Sequence, residues 1–155
     1  MRTATLLLLL LASTPAAAKS WQGIDPGTSK RAQVIEKFGE PSRTATSDDK
    51  ELLAYFEKSA IKGTKQVQFR VDPGTQLVER IDVFPSTAVD RDMVENTYGP
   101  ACPSGKETKA VCYVKKMTED FRTYLVYQRV GLVVFLQEDG KQVHSFTYTT
   151  PQGAK

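Results

Sequence analysis

Two periods alternate along the chain. Over residues 67–71, Val67, Phe69 and Val71 alternate with Gln68 and Arg70, which predicts a strand with one buried face. The turn Asp72-Pro73-Gly74-Thr75 leads into a second strand over 77–84. The same sequence of signals returns later: an apolar strand over 132–136, the hairpin signal Glu138-Asp139-Gly140-Lys141, and a strand over 143–148. A further strand is predicted before each hairpin, over 52–56 and 124–128, and a short one over 111–115.

Ahead of each strand group the period switches to 3.6. Residues 28–41 align without gaps against 88–101 at an offset of 60, bringing Arg31 to Arg91, Val34 to Val94, Phe38 to Tyr98 and Gly39 to Gly99. Each stretch predicts a short helix, with a hydroxyl N-cap (Thr28 or Ser29; Ser86 or Thr87) and a glycine at its C-terminal end. Val34, Ile35 and Phe38 form the first apolar face; Val89, Met93, Val94 and Tyr98 form the second. The strands match at an offset of 65, Ile81 with Phe146 and Val83 with Tyr148.

The expected fold class is therefore α+β, two tandem repeats of a helix and an antiparallel meander. The helices should pack on one face of a single sheet, or of two sheets side by side. A 60-residue unit hides only about 60% of its unfolded surface, so the copies, residues 19–85 and 86–155, should pack as one body. If Val67, Phe69 and Val71 face the helix, then Gln68, Arg70, Arg80 and Asp82 face away from it. The matching positions in the second copy are Val133, Phe135, Ser145 and Thr147. Val133 and Phe135 are apolar where the first copy is polar, which fits either a strand buried on both faces or a recognition patch. Gln68, Arg70, Arg80, Val133, Phe135, Ser145 and Thr147 are thus the candidate partner-binding residues.

Residues 1–18 read differently. Arg2, the apolar run from Leu6 to Leu11 and the Ala16-Ala17-Ala18 site form a secretory signal pattern, too short to span a bilayer. A periplasmic or secreted protein with no stable membrane insertion after cleavage is expected. In an oxidising compartment Cys102 and Cys112 should close into a disulfide worth about 2 to 3 kcal/mol. The 155 residues carry a net charge of +3 that is interspersed along the chain, which argues against a nucleic-acid partner.

Catalytic chemistry finds little footing. His144 is the single histidine, and the alternation points it toward the helix side or the sheet edge. Asp48-Asp49 and Glu119-Asp120 read as loop or strand-entry charges, and Trp21 as a side chain that packs the chain's start onto the domain. No phosphate-binding loop or metal-ligand spacing occurs, so no cofactor, no metal and no enzyme activity are expected.

The run Ile24, Pro26, Gly27, Ser29, Lys30, Val34, Phe38, Gly39 and Pro41 resembles the opening of the outer-membrane assembly lipoproteins called SmpA/OmlA or BamE. The tandem arrangement is similar to that of the β-lactamase inhibitor proteins. These resemblances imply a non-catalytic module of the cell envelope, an assembly factor or an inhibitor, that docks another envelope or secreted protein through one side of a sheet or its edge loops. The sequence departs from them at two points: no cysteine follows the signal, and Thr87-Ala88-Val89-Asp90 lacks the Pro-Gly of the first copy. A small extracytoplasmic enzyme or small-ligand binder with a pocket between the copies is the alternative.

Overall fold

The period-two segments become neighbouring strands. The computed structural model describes residues 19–151; the signal pattern over 1–18 lies outside the described residues. Helix α1 (Arg31–Phe38) precedes β1 (Arg43–Ser47), β2 (Lys50–Phe56), β3 (Thr64–Val71) and β4 (Val78–Pro85). Helix α2 (Arg91–Tyr98) precedes β5 (Val114–Met117), β6 (Thr123–Tyr127), β7 (Leu132–Leu136) and β8 (Val143–Thr149). All eight strands form one antiparallel sheet in the order β1-β2-β3-β4-β8-β7-β6-β5. The two groups meet where β4 pairs with β8, through Arg80–Thr149, Ile81–Tyr148, Asp82–Thr147 and Val83–Phe146.

This topology corrects the expected fold class. The molecule is dominated by a single continuous sheet rather than built as two helix-plus-meander repeats, and its helices are only eight residues each. The reason is how little the helices enclose: Val34 in one and Val94 in the other are the buried residues. The strands supply most of the core, including Leu53, Tyr55, Val67, Phe69, Ile81, Leu125, Tyr127, Leu132, Val134 and Leu136.

Helix starts differ from expectation as well. The N-caps are Lys30 and Asp90, not a hydroxyl residue, because the preceding segments are held extended by backbone pairing. Gly27 donates to Val78 and Val78 to Ser29, while Val143 donates to Val89. Arg31 N–H, otherwise an orphan of the first helical turn, donates to Gln76, and Arg91 N–H does the same to Lys141. Ser29 is buried and its hydroxyl accepts from the Asp25 amide. Met93, expected on the apolar face, is 51% exposed.

At the other end of each helix the chain turns through a positive φ, 77° at Gly39 and 116° at Gly99. A side chain at Gly99 would also collide with the Val111 carbonyl. Both glycine carbonyls accept a hydrogen bond at 2.9 Å from a buried tyrosine, Tyr55 and Tyr127 respectively. Around Tyr55, Trp21 and Phe38 pack on Phe69 with ring centroids 6.0 and 5.7 Å away. Around Tyr127 lie Tyr98 and Tyr113. The Cys102–Cys112 disulfide is formed, and Cys102 N–H donates to the Tyr113 carbonyl, fixing the chain between α2 and β5.

Strand β1 is absent from the sequence reading. Arg43-Thr44-Ala45-Thr46-Ser47 carries no apolar alternation, and it is held by a two-residue turn at Asp48 and Asp49, with φ of 49° and 58°. Its register with β2 is set by that turn.

Burial pushes the Tyr55 phenol up to about 12 and also raises those of Tyr127 and Tyr148. The folded state thus favours the neutral phenol, so its contribution is complete below about pH 10, the unfolded value, and is lost as pH rises to the folded one. Urea denaturation is expected to show stability declining between about pH 10 and 12. Tyr55→Phe should reduce that decline by up to about 1.4 kcal/mol per pH unit, and an unaltered slope would contradict it.

Candidate functional site: the open face of the sheet

The helices lie against one side of the sheet, and strand alternation assigns the side chains of the other. Cross-strand pairs arrange this open face in rows. One row runs Val114, Val126, Val133, Thr147, Asp82, Gln68, Ala54 and Arg43, each directly opposite the next. A second contains Lys116, Tyr124, Phe135 and Ser145, and on the β2–β4 side Phe84, Gln66 and Phe56. A third joins Thr149, Arg80, Arg70, Leu52 and Ala45.

All seven candidate residues fall on this one face. They are not equally reachable. Ser145 and Thr147 are buried, at 6% and 4% exposure, because the central strand β8 carries short side chains between taller neighbours. Both side chains therefore lie beneath the surface that the other five residues form. Thr147 Oγ1 donates to Asp82 Oδ1 at 2.6 Å, and Arg80 Nε donates to both oxygens of the same carboxylate. This network ties β8 to β4 and fixes the Arg80 guanidinium over the sheet centre.

Val133 and Phe135 are half-buried, while Leu132, Val134 and Leu136 on the other side of β7 are fully enclosed. Phe135 stacks on Tyr124 with centroids 5.3 Å apart. Their outer surfaces stay open, so β7 is not closed off on both faces. Gln68 and Arg70 are half-buried on β3, and Arg70 makes a 3.4 Å ion pair with Asp48. Arg80 is exposed.

The sequence reading missed the other half of this surface. Arg43, Ala45, Leu52, Ala54, Phe56, Gln66 and Gln68 line a shallow depression of about 460 Å³. Leu52 and Tyr124 escaped notice because each neighbours another apolar residue, Leu53 or Leu125, so alternation alone does not tell which faces out. Pairing with Arg70 and Lys116 resolves them to the open face.

His144 also belongs here, which corrects its expected direction. The β7–β8 register shifts between Phe135 and Leu136, and the His144 ring meets Phe84 edge-on at 5.6 Å. Among the described residues no group of three histidine, cysteine or acidic side chains is placed to hold a metal. A separate hollow of about 580 Å³, lined by Asp90, Arg91, Glu95, Asn96 and Lys141 among others, lies between α2 and the β7–β8 turn. At the seam between the halves, direct β4–β8 pairing stands where a ligand pocket was the alternative. No helix among the described residues is long and apolar enough to cross a membrane.

The chain matches no family model and no curated protein. Its fold is similar to the crystal structure of a DUF4309 family protein (YjgB) from Bacillus subtilis, with a TM-score of 0.56 at 15% identity over 83% of each chain. At that identity the likeness concerns the fold alone.

Because Thr147 supplies a charge-assisted bond in the middle of the sheet, Thr147→Val is expected to cost about 1 to 2 kcal/mol in chemical denaturation. Undiminished stability would mean that Arg80 alone satisfies Asp82.

Proposed function

We propose that this chain is an exported, non-catalytic protein-binding module, periplasmic or secreted, whose open sheet face docks another envelope or secreted protein. The observation that carries this reading is the composition of that face. Leu52, Ala54 and Phe56 at one side and Tyr124, Val126, Val133 and Phe135 at the other form half-exposed apolar ground, with Arg70 and Arg80 between them. Grouped apolar side chains on a rigid sheet suit protein recognition, since their burial is favourable and little ordering is required. The arginines add directional contacts of the kind enriched in interfaces.

An assembly factor or an inhibitor fits this arrangement, in keeping with the resemblance of the 24–41 segment to SmpA/OmlA lipoproteins. The Cys102–Cys112 disulfide supports an oxidising compartment.

The test is affinity capture from an envelope extract on immobilised protein, comparing the natural chain with a Val133→Glu/Phe135→Glu variant and with Lys37→Glu, which alters the exposed side of α1. Proteins retained by the natural chain and by Lys37→Glu but lost from the double variant are expected. Retention that the double variant leaves intact, or none above blank resin, would overturn the proposal.

A further inference from the structure

An open sheet has two edge strands whose outer backbone groups lack a partner within the sheet, and here the two edges are built differently. Strand β5 carries Lys115 and Lys116, both exposed, so a second β5 laid alongside would bring lysines against one another. Strand β1 has no such guard. Its five residues contain no lysine or proline, and its register with β2 runs without a bulge from Arg43–Ala54 to Ser47–Lys50.

We propose that β1 pairs antiparallel with β1 of a second copy of this chain, forming a two-fold dimer in which the sheet continues across the interface. The hydrogen-bond phase is set by the Asp48-Asp49 turn. In a two-residue hairpin the flanking residues, Ser47 and Lys50, exchange both of their bonds, so the backbones of Ser47, Ala45 and Arg43 point inward to β2. Those of Thr44 and Thr46 point outward. A two-fold axis through Ala45 sets Thr44 of one copy opposite Thr46 of the other, twice, and each pair exchanges two backbone bonds.

The side chains agree with that register. Thr44 and Thr46 are exposed and face each other as a cross-strand threonine pair. Ala45 meets Ala45 at the axis without crowding. Arg43 lies opposite Ser47 of the second copy, beside its Asp48-Asp49 turn, so a cation meets two carboxylates at each end. Centring the pair on Thr44 instead would place Asp48 against Glu40, two like charges. The contact is self-complementary and closed, and the lysines of β5 stop further addition at the far edge. Both open faces then lie on the same side of one extended sheet.

A strip four backbone bonds wide belongs with weak interfaces, so the association should depend on concentration. Sedimentation velocity of the purified protein from about 10 µM to about 1 mM is expected to show a monomer giving way to a dimer. Amide exchange at Thr44 and Thr46 should slow over the same range. Thr44→Lys/Thr46→Lys, with both side chains exposed in the monomer, should abolish the dimer while keeping the circular dichroism of the natural chain. Lys115→Thr should leave it in place. A single monomeric species throughout, or a dimer undiminished in the double-lysine variant, would overturn the proposal.

Discussion

The pairing of β4 with β8 is the contact on which the rest of this structure depends. Neither helix can close a core by itself, since Val34 in one and Val94 in the other are their buried residues. Joining them through Ile81–Tyr148 and Val83–Phe146 makes one hydrophobic layer from Leu53 on β2 to Leu125 on β6. On the opposite side the same strands bring Asp82 against Thr147, and the Asp82 carboxylate also accepts from Arg80. The seam therefore shapes both faces at once: a closed core beneath and a wide, fixed surface above.

That coupling explains how the candidate face acquires its character. The centre of the sheet is polar and low, with Ser145 and Thr147 sunk between neighbours, whereas apolar side chains rise toward the two sides. Tyr55 and Tyr127 anchor the helix ends from below through the Gly39 and Gly99 carbonyls. The disulfide restrains the irregular stretch that brings Tyr113 to Arg91 and Glu95, where its hydroxyl accepts from the arginine and donates to the carboxylate. The framework for the proposed docking function is thus built from backbone pairing and buried aromatic rings, while on the open face Ser145 and Thr147 are the buried candidate residues.

Much of this was legible residue by residue. Alternation in Val67, Phe69 and Val71 placed Gln68 and Arg70 correctly on the open face, because a polar residue between two buried ones has one orientation available. Glycine at 39 and 99 announced the helix ends. Other features were hidden for definable reasons. Strand β1 has no apolar period, since an edge strand facing water on most sides needs none. Leu52 and Tyr124 sit beside equally apolar neighbours, so only register separates their faces. The helix starts were displaced because extended pairing with distant turns, a long-range interaction, replaced a local cap. The dominance of one sheet over the helices followed from long-range strand pairing, which local periodicity does not encode.

The most direct test of the central claim is native-state hydrogen exchange across the seam, at the amides of Ile81, Val83, Phe146 and Tyr148. One continuous sheet predicts that those amides engaged in β4–β8 bonds exchange only through global unfolding, with the same free energy as protected amides of β3 and β7. Exchange at the seam by a lower-energy opening that leaves β3 and β7 protected would contradict the account.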